Sequence, residues 1–178
     1  MPKRSGLLGL GSNVGERRVH LQAAVEALPA VGVRVLSSSS TYDTDPVGEK
    51  LDQPSFLNAC LLVETALEPL ELLDAVKGLE RELGRRDAEI RHGPRAIDID
   101  ILMLGELELR HERMSLPHAQ LLTRRFVLIP ALELDIDSSL PDGRSLADAL
   151  AALPLEEGVR WAGPPLEPPE RNRSEPES

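Results

Sequence analysis

The order of the predicted strands and helices limits the fold of this chain more than any other feature. Runs rich in aliphatic and β-branched residues predict strands at 7–10, 33–42, 56–65 and 97–104. Apolar residues at helical spacing predict one helix after the first strand and a second helix that begins at Pro69 and ends at Gly84. The resulting βαββαβ order predicts an α+β, ferredoxin-like fold, in which helices pack on a mostly antiparallel sheet.

The remainder of the chain predicts shorter elements and a tail. We expect a short partner strand at 107–109 and helical segments at 119–134 and 145–153. From Pro164 onward the chain is largely proline, glutamate, arginine and serine, which bury too little apolar surface to offset the entropy lost on ordering. The 178 residues therefore predict a single domain, 1–163, followed by a disordered tail, 164–178.

The charge balance and the cysteine count limit the partners and the compartment. A net charge of −10 argues against an open surface for nucleic acid or an anionic membrane. The single cysteine, Cys60, excludes an internal disulfide and fits a reducing, cytoplasmic compartment. It lies in an apolar run, so we expect it in the core. The sequence shows neither a signal-peptide pattern nor 18 consecutive apolar residues, so no membrane partner is expected.

Two aspartates alternate with isoleucines in the fourth predicted strand. Successive side chains of a strand point to opposite faces, so Asp98 and Asp100 share one face. The isoleucines at 97, 99 and 101 share the other face, which can lie on the core. Carboxylates at this spacing lie about 7 Å apart and repel each other. A Mg²⁺ ion removes that conflict, since it binds one or two carboxylates together with phosphate oxygens. The alternative is an ordinary alternating strand with one solvated face.

Arginines crowd the predicted loop that precedes this acidic strand. Arg85, Arg86, Arg91 and Arg95 lie there, and a further pair of arginines follows at 124–125. Guanidinium groups beside a carboxylate pair suit phosphate transfer, because metal bridges the phosphates and arginine neutralises the charge that develops. The alternative is a solvated run of charges without a ligand.

Two nucleotide-binding signatures are excluded by their spacing. Gly9, Gly11 and Gly15 follow the first strand, but the third glycine comes one position too late for G-x-G-x-x-G, and the predicted topology is not doubly wound. The P-loop pattern G-x-x-x-x-G-K-[ST] does not occur. Any ATP must therefore be held by side chains and a loop. The long charged loops at 43–55 and 85–94 are candidates, because loops of such length are often functional.

A series of short segments carries the most specific information. They are Gly11-Ser12-Asn13, Tyr42-Asp43-Thr44-Asp45-Pro46-Val47-Gly48, Asp52-Gln53-Pro54-Ser55-Phe56-Leu57-Asn58-Ala59, Leu79-Glu80, Gly84-Arg85, Gly93-Pro94-Arg95-Ala96-Ile97-Asp98-Ile99-Asp100, Leu116-Pro117-His118 and Arg124-Arg125-Phe126-Val127-Leu128. In this order they resemble the 6-hydroxymethyl-7,8-dihydropterin pyrophosphokinase family. The resemblance spans residues 7–145, and the family's ferredoxin-like fold agrees with the order of elements.

The resemblance implies roles for the nucleotide side of the site. Asp98 and Asp100 are implied to be catalytic and to bind two Mg²⁺ ions that bridge to the phosphates of ATP, the co-substrate. Arg85 and Arg95 are implied to be catalytic arginines that grip phosphate. Position 92 is histidine where the family commonly has tryptophan, so loop closure over the site can differ. The further positions implied to contact ATP are Lys77, Glu80, Arg91, His92, Ile101, Arg113, Ser115, His118 and Arg124.

The resemblance also implies a pterin side. Phe56 and Phe126, the only two phenylalanines of the chain, are implied to sandwich the pterin ring. Asn58 is implied to hydrogen-bond the edge of the ring. Thr44, Asp45 and Val47 are implied to contact the pterin from the loop that follows the second strand.

The implied function is an ATP-dependent pyrophosphokinase of folate biosynthesis. It would transfer pyrophosphate from ATP to the 6-hydroxymethyl group of 6-hydroxymethyl-7,8-dihydropterin and release AMP. We expect a monomer or a weak homo-oligomer. One alternative is a Rossmann-type oxidoreductase, which lacks support because there is no second mononucleotide-binding half. The other is a ferredoxin-like regulatory module that binds a small molecule without turnover; such a module would need neither the aspartate pair nor the arginines.

Overall fold

The structure is a computed structural model that describes residues 2–45, 54–85, 96–134, 139–154 and 158–169. Its helices and strands alternate much as the sequence predicts through residue 104. In chain order they are β1 Arg4–Ser12, α1 Arg17–Ala27, a 3₁₀ turn Leu28–Val31, β2 Val33–Ser38, β3 Thr41–Thr44, β4 Phe56–Thr65, α2 Pro69–Arg85, β5 Asp98–Leu104, β6 Leu109–Arg110, β7 Ser115–Leu116, α3 Arg125–Leu134, α4 Leu146–Ala152 and β8 Val159–Gly163.

The main sheet is antiparallel throughout the described residues. The strand order is β5-β1-β4-β3-β8, and β2 pairs with β4 next to β3. The two central strands, β1 and β4, pair along their whole length from Arg4 opposite Thr65 to Ser12 opposite Leu57. The predicted combination of helices with an antiparallel sheet is therefore confirmed.

Helices cover both faces of the sheet, because the strands are apolar on both sides. On one face, Leu21 of α1 and Val76 of α2 pack with Leu8 and Ile99 of the sheet. On the other face, Leu128 of α3 belongs to a second buried cluster together with side chains of β1, β4, β5 and α4. Within the described part of the chain, no helix is both long and apolar enough to cross a membrane.

The single strand predicted at 33–42 is in fact two strands, β2 and β3. The ladder is interrupted at Ser39, whose side-chain hydroxyl accepts the hydrogen bond from Cys60 N at 2.8 Å, while Ser39 N donates to Cys60 O at 2.9 Å. Short hydroxyl side chains compete with the backbone in this way and break regular ladders. The serine-rich composition was visible in the sequence, but its consequence for the ladder was not.

Three other predicted elements differ from the structure. The segment 107–109 does not pair with β5; Gly105 turns the chain with φ of 54°, and β6 pairs with β7 instead. The helix predicted at 119–134 begins only at Arg125, because local turns such as Leu121 N to His118 O occupy the preceding residues. Helix α2 also ends later than predicted, because it continues through Gly84 to Arg85.

The predicted disordered tail does not begin at Pro164. Leu166 is 1% exposed and belongs to the core between α1 and the sheet. Its N–H donates to Ser38 Oγ at 3.2 Å, and Arg18 donates to the carbonyls of Pro164 and Pro165 at 2.8 and 3.0 Å. The buried leucine and these hydrogen bonds together hold this proline-rich segment. The preceding strand β8, which pairs with β3, was not predicted either. Residues 170–178 lie outside the described residues.

Candidate active site

A cavity of about 240 Å³ opens on the face of the sheet that carries α3. Its floor is formed by the ends of four neighbouring strands, and one wall by the first turns of α3. Most of the residues that the sequence singled out for the pterin and the metal line it. The lining residues are Gly9, Leu10, Gly11, Thr44, Asp45, Phe56, Asn58, Ala59, Cys60, Asp98, Asp100, Leu102, His118, Gln120, Phe126, Val127 and Pro130.

Two glycines of β1 form a trough across the floor of this cavity. Gly11 lies opposite Asn58 of β4 on one side and opposite Asp98 of β5 on the other. Residues directly opposite each other in adjacent strands project to the same face. The amide of Asn58 and the carboxylate of Asp98 therefore flank a position with no side chain. Two strand spacings, about 10 Å, separate the two strands that carry them.

The aspartate pair lies as the alternation predicts. Ile97, Ile99 and Ile101 are 3%, 0% and 4% exposed in the core, whereas Asp98 is half-buried and Asp100 is exposed at the cavity. Both aspartates thus line the same face of the cavity. Among the described residues, no group of three or more His, Cys, Asp or Glu side chains could hold a metal ion. A cation in this cavity would rely on the pair and on oxygens brought by a ligand.

Asn58 is held in one orientation beside the glycine trough. It is 9% exposed, and its Nδ2 donates to Thr44 Oγ1 at 2.6 Å. A Cβ atom added at Gly11 would lie 2.9 Å from Asn58 Oδ1. Glycine at this position is therefore needed for the amide to stay where it is. The Oδ1 atom remains available to accept a hydrogen bond from a ligand.

The two phenylalanines meet at the same cavity from different elements. Phe56 begins β4, and Phe126 lies in the first turn of α3. Both are half-buried, so part of each ring faces the cavity. Cys60 also lines it but is 1% exposed, and burial raises the pKa of its thiol to about 12. The expectation that Cys60 is a core residue is confirmed by its burial.

The remaining polar residues of the rim are fixed by neighbouring elements. Asp45 accepts from Arg160 Nη2 of β8 at 3.0 Å, and its N–H donates to Gly158 O. His118 N donates to Leu102 O at 2.9 Å, and the His118 ring accepts from Gln120 N at 3.1 Å through Nδ1. This contact orients the imidazole through Nδ1, so that a ligand in the cavity would meet the ring at Nε2.

Two predicted nucleotide contacts, Lys77 and Glu80, hold the backbone of β5 instead of lining the cavity. Glu80 Oε1 accepts from Ile99 N at 2.6 Å and from Lys77 Nζ at 3.0 Å, and Lys77 Nζ lies 3.4 Å from Ile99 O. Burial raises the pKa of the Glu80 carboxyl above its ordinary value, and the charge of Asp98 adds to this, while Ile99 N–H and Lys77 act in the opposite sense. This pair stabilises the open edge of β5 between the two aspartates.

Other predicted nucleotide contacts also lie away from the cavity lining. The Ile101 side chain is in the core, so only its backbone can meet a ligand. Arg113 forms an ion pair with Asp74 of α2, and Ser115 lies in a separate groove beside β6. Arg124 is half-buried just before α3. The contacts of these residues with ATP stay predictions.

Several predicted residues cannot be placed. Val47, Arg91, His92 and Arg95 lie outside the described residues, as do most of the two long loops predicted around them. Arg85 ends α2, and only its backbone is described.

The glycine trough does not follow from the spacing of the glycines in the sequence, which only excludes a dinucleotide fingerprint. Glycine inside a strand often marks a place where another group approaches closely, and that signal was present at Gly9 and Gly11. The contributions of Gln120, Val127 and Pro130 to the lining carried no comparable signal.

Comparisons with known proteins point to one family. A sequence model of the 7,8-dihydro-6-hydroxymethylpterin-pyrophosphokinase family matches residues 7–136. The 2-amino-4-hydroxy-6-hydroxymethyldihydropteridine pyrophosphokinase of Pseudomonas aeruginosa is 44% identical over 158 residues, which cover 88% of this chain and 96% of that protein. The protein of the same name from Bacillus subtilis is 42% identical over 128 residues, which cover 71% of this chain and 75% of that protein.

Solved structures agree on the fold. The crystal structure of wild-type HPPK-DHPS from Plasmodium falciparum with pteroate has a TM-score of 0.67 and 12% sequence identity. The match covers 84% of this chain but 44% of that chain, so this chain spans less than half the length of that protein. At such low identity the likeness concerns the fold alone.

Proposed function

The chain belongs to the 7,8-dihydro-6-hydroxymethylpterin-pyrophosphokinase family, and on this premise we propose that the family's reaction takes place in the glycine trough between β4 and β5. The enzyme transfers pyrophosphate from ATP to 6-hydroxymethyl-7,8-dihydropterin, a step of folate biosynthesis. The observation that carries the assignment of the site is the row Asn58, Gly11 and Asp98, which runs across three adjacent strands on the floor of one cavity. One end of this row suits a pterin and the other suits a charged phosphate.

The pterin end consists of flat and polar groups. The rings of Phe56 and Phe126 offer stacking surfaces, which are typically worth about 1 to 3 kcal/mol per stacked base. Asn58 presents Oδ1 to an N–H of the pterin edge, since its Nδ2 is held by Thr44. Thr44, Asp45 and Val47 are proposed to complete this end. The stacking rings fix the plane of the pterin, and the amide fixes its direction, so that the hydroxymethyl group points along the trough toward β5.

The oxygen donors at the phosphate end are of the kind that binds Mg²⁺. Asp98 and Asp100 supply hard carboxylate oxygens on one face at the cavity, and Mg²⁺ usually takes one or two carboxylates and completes its shell with phosphate oxygens and water. We assign these two residues to hold the metal, with two ions proposed from the family resemblance. When bound, the metal supplies charge that offsets the repulsion between the carboxylates and the triphosphate. His118 and Arg124 are proposed to contact the nucleotide.

The reaction needs no covalent enzyme intermediate. The hydroxymethyl oxygen forms a bond to the β-phosphorus, the bond from this phosphorus to the oxygen that bridges to the α-phosphorus breaks, and AMP leaves. The hydroxyl proton passes to solvent. The residues of this chain contribute positioning, which can supply much of the rate of a transfer between two bound substrates. Arg85 and Arg95 are proposed to bind the phosphates and stabilise the charge that develops on them.

The proposal extends to the fold type, the domain boundary, the location and the oligomeric state of the protein. The strand order β5-β1-β4-β2/β3 supports a ferredoxin-like βαββαβ core, with β8, α3 and α4 as additions. We propose a single domain that includes the segment around Leu166, a cytoplasmic location, and a monomeric or weakly associated state.

The test is to incubate the protein with Mg-ATP and 6-hydroxymethyl-7,8-dihydropterin and to separate the nucleotides and pterins by chromatography. AMP and a diphosphorylated pterin should form in equal amounts, and chelation of the metal should stop both. Formation of ADP, or AMP formation that does not depend on the pterin, would contradict the proposed reaction. Omission of the pterin is the matched control.

A further inference from the structure

Arg17, the first residue of α1, joins three elements of the fold through one guanidinium nitrogen. Its Nη1 donates to Asp43 Oδ1 at 2.6 Å, to Ser55 O at 3.1 Å and to Ser55 Oγ at 3.2 Å. Ser55 Oγ in turn donates to Asp43 Oδ1 at 3.2 Å. Arg17, Asp43 and Ser55 together are called the clasp below. Its two charged side chains are 28% and 29% exposed, so the ion pair is only partly screened by water.

The clasp sits one residue away from two residues of the pterin end. Asp43 precedes Thr44 in β3, and Ser55 precedes Phe56 at the start of β4. Thr44 and Phe56 lie opposite each other in the β3–β4 ladder. Side chains of a strand alternate between faces, so the Asp43 side chain lies on the face opposite Thr44 and the cavity. Arg17 therefore contacts β3 on the face of the sheet opposite the cavity, and it does not line the cavity.

The short ladder between β3 and β4 explains why a clasp is needed there. β3 has only four residues, and its pairing with β4 spans Tyr42 to Thr44. The hydrogen bond from Asn58 to Thr44 crosses the same pair of strands. A shift of β3 relative to β4 would move Thr44 away from Phe56 and would release the Asn58 amide. By contrast, the aspartates of the phosphate end lie in β5, two strands away from β4.

From this geometry we infer that Arg17 is a positioning residue for the pterin: it fixes β3 against β4 and thereby sets the arrangement of Thr44, Phe56 and Asn58, without touching either substrate. The inference rests on the proposed function. Loss of the clasp should disturb the pterin end of the site and leave the phosphate end intact. A guanidinium that merely stabilised the fold would affect both ends alike.

The neighbouring arginine provides a matched control. Arg18 is the next residue of α1, and its guanidinium also makes hydrogen bonds across the fold, to the carbonyls of Pro164 and Pro165 and to Thr41 Oγ1. None of these partners lines the cavity. Arg17→Met and Arg18→Met therefore each remove one tertiary anchor of α1 while keeping the length of the side chain, but only the first removes the clasp.

The experiment measures steady-state kinetics of the full chain, with each substrate varied while the other is saturating, together with the melting temperature. For Arg17→Met we expect the KM for the pterin to rise about tenfold, because a misplacement of about 1 Å caused by a distant mutation can already cost about 10² in rate. The KM for ATP should change less than twofold. Arg18→Met should lower the melting temperature by a comparable amount and leave both KM values near those of the wild type. Arg17→Lys should recover part of the pterin KM, since an ammonium group can donate but lacks the planar fork.

Several results would overturn the inference. Equal increases in both KM values for Arg17→Met would show a general loss of structure. An increase in pterin KM for Arg18→Met as large as for Arg17→Met would show that the effect does not depend on the clasp, since Arg18 contacts β3 only at Thr41 among its hydrogen bonds given above. In an Asp43→Asn background, Arg17→Met should add little, so full additivity would contradict a shared clasp. If the wild-type protein produced no AMP at all, the proposed function itself would fail, which is a separate outcome.

Discussion

Replacing Gly11 with alanine should weaken pterin binding, although it adds a single methyl group. The new Cβ would lie 2.9 Å from Asn58 Oδ1, while ordinary contact begins at 3.4 Å, so the amide oxygen must retreat by about 0.5 Å. It has little freedom to do so, because Asn58 is 9% exposed and its Nδ2 is held by Thr44 at 2.6 Å. The displaced oxygen then accepts the pterin N–H in poorer geometry, and a buried donor that loses its acceptor altogether costs about 1 to 3 kcal/mol.

The expected loss of affinity for the pterin is therefore about 1 to 2 kcal/mol, or five- to thirtyfold in Kd. The assay is calorimetric titration of the pterin into protein that holds a non-hydrolysable ATP analogue and Mg²⁺. Gly9→Ala is the matched control, since it lies two residues earlier on the same face of β1. The atom nearest to its Cβ would belong to the Leu102 side chain, at 3.5 Å, which is an ordinary contact.

Gly9→Ala should bind pterin like the wild type and melt at the same or a slightly higher temperature, because alanine restricts the unfolded chain more than glycine does. If Gly11→Ala bound the pterin as tightly as the wild type, Asn58 would not be part of the pterin site. If both variants lost affinity equally, the trough would be a floor for the ligand in general, and the specific contact at Asn58 would be wrong.

Three further predictions concern this site and the clasp behind it. Asp98→Asn or Asp100→Asn should reduce the rate of AMP formation by at least about 10², since the charge of the transition state is no longer offset. The circular dichroism spectrum should stay unchanged, because Ile97, Ile99 and Ile101 keep the strand on the core. Turnover near that of the wild type at saturating Mg²⁺ would refute the assignment. Phe126→Ala should weaken pterin binding by roughly 1–3 kcal/mol with little change for ATP, and an equal loss for ATP in titrations would indicate a damaged fold instead. The hydrogen bond from Arg17 holds the pKa of the Asp43 carboxyl below its ordinary value, with smaller contributions in the same direction from the charges of Arg17 and Arg160 and from Ser55. The ionised Asp43 carboxylate therefore stabilises the fold above about pH 4, and this contribution is lost as the pH falls below that value. In denaturant titrations, the free energy of unfolding of Asp43→Asn should fall less steeply than that of the wild type between about pH 5 and pH 3. An equally steep fall in both proteins would contradict this.

The aspartate pair could be predicted from the sequence because its geometry is local. Alternation in a strand depends only on the chain itself, and the isoleucines of β5 identify which face meets the core. The order of the elements through Leu104 was accessible for the same reason. The element boundaries and pairings that failed, at Ser39 and around Leu109, depend on single side-chain or turn interactions that no periodicity records.

The parts of the site that could not be predicted depend on which strands become neighbours. Gly11 acquires its role only because β1 lies between β4 and β5, which places Asn58 and Asp98 on either side of it. Glu80 binds the backbone at Ile99 because β5 is an edge strand that α2 can reach. Leu166 is buried although its surroundings are rich in proline and charge, since a gap between α1 and the sheet accepts it.

In the proposed site, the pterin and the nucleotide meet over Gly11, between Asn58 and the aspartate pair. The most direct test is a crystal structure of the protein with Mg²⁺, a non-hydrolysable ATP analogue and 6-hydroxymethylpterin. We expect the pterin ring between Phe56 and Phe126, its hydroxymethyl group above Gly11, and metal bound by Asp98 and Asp100. A pterin bound elsewhere, or phosphates that approach from the β3 side with no metal at the aspartates, would contradict it.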